Sequence, residues 1–439
     1  RRIIMRKLKL NLLLSFLLGI ASPAYADDLL EIYQKALISD PNLQTAKLEF
    51  ELAEAQQGQA GSALLPQASA NANVSYNSTS VHAIPGTREF DGYRYSVSIT
   101  QSMFDVSKFS NWLRYQALTD KSQVEYQQAQ QILMFDVVDR YLNVLIERDN
   151  LVLNKQEIGT TERNLHQIKR QFEKSVVTIT DVYEMEAKLD ALMAEQIEAE
   201  TKLDIAKQNL KELTGSSFGL LSELREDAQF LVLQGDVQEI AEQAQQNNLL
   251  IHAQNKEIEA ADYNVISQKA KHLPVVDLQL QYYNTDTGFQ NAQTAAIATK
   301  VAAINVTIPL FSGGATYYQG QEASRQLRIS KQKRIHLLRA IEKEARDAFL
   351  SANASVKRIK AQKKALSTAV KAREAMEKGF KYGMQSIGDV LISQAREYAA
   401  KRDLFNVKYI YIKNRIRYEQ ASGRLSIDSL ETINQWLRV

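Results

Sequence analysis

The chain repeats itself at an interval of 208 residues, and that interval limits how its elements can be arranged. Leu65-Pro66 returns as Leu273-Pro274, Thr180-Asp181-Val182 as Gly388-Asp389-Val390, and Thr214-Gly215 as Ser422-Gly423. Asp40-Pro41-Asn42-Leu43 aligns with Asn248-Leu249-Leu250-Ile251 and Tyr141 with Phe349. Met103-Phe104-Asp105 meets Leu310-Phe311-Ser312 at 207, which places one deletion in an intervening loop. Landmarks that hold register over such a distance mark a duplicated unit. The first repeat is expected over 27–230 and the second over 231–439, with the boundary near Gln229 to Asp236.

Proline and glycine show what each unit contains. Prolines stand at 23, 41, 66, 85, 274 and 309, and glycine is missing from 93 to 158 and from 160 to 214. Such uninterrupted stretches favour long helices. Phe135, Val138, Leu142 and Leu145 step by three and four, as do Leu203, Ala206, Leu210 and Leu213, giving each helix an apolar seam. Ala345, Ala348 and Ala352 keep the spacing with side chains small enough for close helix approach. A helix from about Val106 to Ser175 would be on the order of 100 Å long, far longer than a globular core requires.

Between the helices the period changes to two. Ala68, Ala70, Ala72, Val74 and Tyr76 alternate with polar residues, as do Tyr93, Tyr95, Val97 and Ile99. The second repeat shows the same in Val276, Leu278, Leu280 and Tyr282, then in Ala302, Ile304, Val306 and Ile308. Each unit therefore carries one β-hairpin, about 67–104 and about 275–309. The polar segments Ser78 to Asp91 and Asn284 to Thr299, with Pro85-Gly86 and Gly288, read as the joining turns. Strands of this pattern suit a bilayer crossing. Four strands cannot close a barrel, for which about eight is the practical minimum, so a pore would need several chains.

Residues 1–26 read as a cleavable secretory signal: Arg6, Lys7 and Lys9, an apolar run from Leu10 to Ile20, and Ala24-Tyr25-Ala26 at the cleavage site. Arg1 to Ile4 precede Met5 and leave the start of that signal open. With no cysteine the expected fold is held by packing alone. After the signal no apolar run approaches the length of a membrane helix, so membrane entry would have to be as a closed β-barrel. The net charge of +3 supplies no basic stripe for nucleic acid. The histidines at 82, 166, 252, 272 and 336 lack metal-ligand spacing, and no phosphate loop, nucleophile elbow or cysteine nucleophile is present. The expectation is a protein that is not an enzyme and holds no cofactor or metal.

Four motifs, in this order and at repeat spacing, carry a resemblance over essentially the whole mature chain. They are Leu64-Leu65-Pro66-Gln67, Thr100-Gln101-Ser102-Met103-Phe104-Asp105, Ile179-Thr180-Asp181-Val182 and Leu310-Phe311-Ser312-Gly313-Gly314. The chain resembles the TolC-like outer-membrane efflux proteins. The resemblance implies an α+β membrane protein, a homotrimer whose chains pool four strands each into one 12-stranded outer-membrane β-barrel, continuous with a 12-helix periplasmic α-barrel of long coiled-coil helices. It also implies a cell outer-membrane location in contact with lipid and extending into the periplasm. The implied role is a passive duct for multidrug efflux and/or type I protein secretion, served by a periplasmic adaptor protein and an inner-membrane pump of RND, ABC or MFS type. Barrel insertion alone would anchor a chain without an N-terminal cysteine.

The same resemblance places a periplasmic gate at the turns near Lys174 to Asp181 and Tyr382 to Asp389. Asp389 matches a pore-facing acidic position, and copies of it around a narrow opening would form a ring attractive to cations. Helix capping is the other reading of the gate acids: Asp181 precedes Glu184 by three residues, and Ser386 precedes Asp389 by three. The chain departs from the family pattern at Ile392, where a second acid is usual, at Gln385, in place of a latching arginine, and at Phe380, in place of a tyrosine. Thr180 and Asp181 keep the receiving side of that latch. These substitutions imply a gate held more by packing of Phe380 and Ile392 than by charge, with weaker cation block. The competing class is a soluble periplasmic coiled-coil scaffold or adaptor protein, which would lack paired membrane hairpins.

Overall fold

A computed structural model describes residues 27–81, 84–288 and 292–438. The expected secretory signal and His82 lie outside the described residues. The chain divides into two compact units, and each draws on both sequence repeats.

One unit comprises Thr45–Gln128 and Leu249–Ala340. It holds most of α2 (Pro41–Ser62), the strands β1 (Gln67–Val81) and β2 (Ile84–Phe104), and the start of α3 (Val106–Glu173). From the second repeat come α6 (Leu249–Ala270), β4 (Val275–Thr287), β5 (Gln293–Thr307) and the start of α7 (Ala315–Lys381). The strands form one antiparallel sheet in the order β1-β2-β4-β5, so β1 and β5 are its edges. The two hairpins meet through β2 and β4, with Val97 opposite Tyr282 and Ile99 opposite Leu280.

The apolar residues of the two-residue period, among them Val74, Tyr76, Val97, Tyr282, Ile304 and Val306, stand exposed on the single chain. The segments expected as joining turns are largely strand. Ser78 to Val81 pair with residues of Ile84 to Glu89, and β4 runs to Thr287 before β5 begins at Gln293. Ladder hydrogen bonds are made by the backbone, so polar side chains do not end a strand. Below the sheet, Asp105 accepts from the Lys108 N–H at 3.0 Å and starts α3. Lys256–Asp120 and Lys121–Glu257 then tie α6 to α3.

The other unit comprises Ala129–Asn248, Ile341–Val439 and the residues up to Gln44. It holds α1 (Leu29–Ser39), the rest of α3, α4 (Ile179–Thr214), α5 (Val237–Asn247), the rest of α7, α8 (Ile387–Ala421) and α9 (Ile427–Asn434). A short antiparallel pair, β3 (Glu223–Leu224) with β6 (Leu437–Arg438), joins the end of the chain to the connector between the repeats. The seams read from the sequence are buried at Val138, Leu142, Leu145, Leu203, Ala206, Leu210 and Leu213, and at Ala345, Ala348 and Ala352. Tyr141 and Phe349, equivalent across the duplication, are both buried. No described helix is long and apolar enough to cross a membrane.

Candidate functional site

The candidate gate lies wholly in the second of these units, where α3 turns into α4 and α7 into α8. Both turns use one backbone pattern. Val176 N–H donates to Gln171 C=O and Met384 N–H to Gly379 C=O, each at 2.9 Å and 208 residues apart. The left-handed position that this closure needs is Ser175 in one turn and Gly383 in the other, with φ of 56° and 72°.

The helices that leave the turns are capped alike. Thr178 is the N-cap of α4 and Ser386 that of α8. Asp181 Oδ2 accepts from the Thr178 N–H and hydroxyl, both at 2.7 Å. Asp389 Oδ2 accepts from the Ser386 N–H at 3.1 Å and its hydroxyl at 2.8 Å. The pairing of Ser386 with Asp389 has the spacing seen in the sequence. The Asp181–Glu184 spacing places the first cap one turn too far on: Asp181 instead closes a box begun by Thr178. Asp389 is exposed, and hydrogen bonds from the Ser386 side chain and backbone hold its carboxyl below the usual aspartate range.

An apolar cluster joins the two hairpins. Ile168, Val182 and Met185 of the first pack with Ile387 and Val390 of the second, edged by Leu165, Val177, Met376, Phe380 and Leu391. Phe380 thus touches the cluster, whereas Ile392 is 53% exposed and lies outside it. Ile392 shares a helix face with Asp389, and both line a groove of about 750 Å³ beside the small residues Ala361, Ala365, Ala369 and Ala372 of α7. Thr180 is exposed. Gln385 folds back over Gly379, whose added Cβ would stand 2.7 Å from Gln385 Cγ. Among the described residues Gln385 makes no side-chain bond to Thr180 or Asp181.

Further up the helices, polar links that sequence reasoning missed join helices within and between the hairpins. Gln394, buried in α8, donates to Thr161 Oγ1 at 3.3 Å and accepts from Asn164 Nδ2 at 3.4 Å. Thr160 and Tyr398 join their hydroxyls at 3.2 Å. Glu157, buried in α3, meets Lys188 at 3.1 Å and Arg402 at 3.8 Å. Burial alone would raise the Glu397 carboxyl, but Lys401 and Arg373 outweigh it and hold it below the ordinary glutamate range. Nothing in the local pattern of a polar helix residue signals such burial. A glutamine at one helix position reads the same whether it faces solvent or a neighbouring helix.

Known proteins share this architecture. The sequence profile of the family described as Outer membrane efflux protein matches residues 32–216 and again 240–424, the same interval of 208. Outer membrane protein TolC of Escherichia coli (strain K12) is 27% identical over 99% of this chain and 90% of its own length. Alkaline protease secretion protein AprF of Pseudomonas aeruginosa is 26% identical over 98% of this chain and 91% of its own. The solved structure of CusC superposes with a TM-score of 0.81 at 16% identity, covering 91% of this chain and 92% of that one. With a two-hairpin sheet, two long helical hairpins and a profile that matches both repeats, this chain belongs to the outer membrane efflux protein family.

Proposed function

We propose that the protein is the outer-membrane duct of an export system, a homotrimer whose chains each lend four strands to one barrel and two helical hairpins to a periplasmic tunnel. The observation that carries this is the four-stranded sheet with an exposed apolar face and two unpaired edges. In lipid each unpaired backbone group costs several kcal/mol, so such a sheet must be closed by further copies. The duct is passive: a periplasmic adaptor and an inner-membrane pump, of RND, ABC or MFS type, supply selection and energy. The description of the family supports efflux as its traffic, and the name of the relative AprF, an alkaline protease secretion protein, supports protein secretion.

The gate is the pair of turns at Lys174–Asp181 and Tyr382–Asp389, with Thr180, Asp181, Phe380, Gln385, Asp389 and Ile392 in and around it. Its closure rests on the Ile168–Met185–Val390 cluster, since a buried aliphatic side chain contributes about 1.5–3 kcal/mol and an exposed ion pair about 0–1. Asp389 supplies the ring of charge at the opening. Deleting the gene should raise susceptibility to toxic compounds, reduce secreted protein, or both, and the protein should fractionate with outer membrane. Unchanged susceptibility and secretion, or recovery in the soluble periplasm, would overturn the reading.

A further inference from the structure

Beside the sheet, the end of α6 and the start of α7 enclose a groove of about 510 Å³. Lys269, His272, Arg325 and Arg328 line it together with the hydroxyls of Thr316, Tyr317 and Ser324, and no acid is among its lining residues. The walls are organised. Gln321 donates to the Tyr317 hydroxyl at 2.7 Å, Ser324 to the Gly320 carbonyl at 2.7 Å, and Thr316 pairs with Ser312 at 2.9 Å. The Lys269 stem lies against Gly320, at van der Waals distance from where a Cβ there would stand. Among the described residues Lys269, Arg325 and Arg328 have no acidic partner. Between Ala315 and Arg334 five lysines and arginines stand against one acid, Glu322.

A second feature adjoins these cations. Leu310 and Phe311 are 92% and 88% exposed, and Tyr318 is 70% exposed with its ring edge-on to Tyr317. Leu310 and Phe311 lie between the end of β5 and the start of α7, and Tyr318 is in the first turn of α7, so this ledge stands at the level where the sheet ends. Aromatic side chains of this kind settle at the boundary between hydrocarbon and water. A phosphate with two acyl chains matches both features at once. Guanidinium groups chelate phosphate oxygens, and exposed apolar side chains take the chains.

We infer that the Lys269–Arg325–Arg328 groove binds the headgroup phosphate of an anionic glycerophospholipid, with its acyl chains over Leu310 and Phe311. The inference rests on the outer-membrane reading above, which puts this level at the periplasmic leaflet. Binding there fixes the depth of the sheet in the bilayer.

Purified full-length protein in neutral detergent, titrated with dioctanoyl phosphatidylglycerol and followed by native mass spectrometry, tests this. The wild type should bind the lipid and ignore inorganic phosphate at the same concentration. Arg325→Gln combined with Arg328→Gln should weaken binding about thirtyfold, given roughly 1 kcal/mol for each cation at a membrane surface. Unchanged lipid affinity in that variant overturns the inference, as does equal binding of inorganic phosphate, which would mark a plain anion site. So does a loss of anion conductance with lipid affinity unchanged, which would place these cations in the channel. If the double variant does not fold, Lys269→Gln serves, with a loss of about fivefold expected and no loss overturning the idea. The readout needs no export, so a failed export test leaves it standing, and the reverse holds too.

Discussion

Ser175 holds φ at 56° in the turn between α3 and α4, where the equivalent turn between α7 and α8 has Gly383 at 72°. A left-handed backbone costs a residue with a Cβ about 1–2 kcal/mol, and glycine gives back about 0.4–1 through the entropy of the unfolded chain. Ser175→Gly should therefore stabilise the protein by several tenths of a kcal/mol, and Gly383→Ala should destabilise it by about 1 kcal/mol or less. Thermal unfolding in detergent reads both signs, and a shift in the same direction for the two variants would contradict the argument. Asp389 carries a prediction in pH. Its folded-state pKa lies below the usual value of 3.8 because Ser386 donates to the carboxylate. A depressed acid contributes its stability above the unfolded pKa and loses it as pH falls through the folded value. If Asp389 rings the proposed gate, the cation preference it confers should then persist down to about pH 4 and be lost only below. Reversal potentials in planar bilayers measure this, with Asp389→Asn lacking the preference throughout. Strong block by divalent ions that survives Asp389→Ala would remove the ring from the account.

At the scale of elements, the duplication shows itself again where α4 and α8 end. Gly215 and Gly423 are equivalent, with φ of 63° and 70°. Around Gly215 an added Cβ would meet the Ser39 side chain at 3.0 Å, whereas at Gly423 it would run into the backbone of Asn247 and Asn248. Both neighbours are held by backbone, but the clash at Gly423 is the deeper, its Cβ falling closer to the Asn247 carbonyl oxygen than the 3.0 Å that separates a Cβ at Gly215 from Ser39 Cβ. Gly423→Ala should therefore cost about 2 kcal/mol or more and Gly215→Ala distinctly less. Equal losses in chemical or thermal unfolding would contradict that. The long helices were legible in the sequence because proline is missing from them and glycine is rare in them, and α3 ends within two residues of the expected Ser175. Strand length was not, because Ser78 to Val81 look like a turn by side chain while their backbone stays in the ladder. The start of α4 could have been found by carrying Ser386 back by 208 to Thr178. The cluster of Ile168 with Val390 could not, since helix periodicity gives a face without naming the helix that covers it.

For the whole molecule, everything turns on what covers the two open edges of the sheet. β1 pairs only with β2 in this chain, so every second N–H of β1 points away from the hairpin. Successive residues point their N–H groups to opposite sides, and so one of Ala70 and Asn71 aims at the next copy while the other serves β2. Proline removes that donor and places a ring against the neighbouring strand. Where the lost N–H faced outward, the hairpin keeps its bonds, but each interface of the trimer loses one, at about 1–3 kcal/mol for a buried carbonyl left unpaired. Three equivalent interfaces multiply the loss to about 3–9 kcal/mol for the trimer. Ala70→Pro and Asn71→Pro should therefore behave differently. One should yield a folded monomer with retained strand signal in circular dichroism, and the other should lose strand content as well. Sedimentation in detergent reports the mass and circular dichroism the fold. If both variants sediment as trimers with wild-type thermal stability, β1 is not an interface strand and the barrel must close some other way.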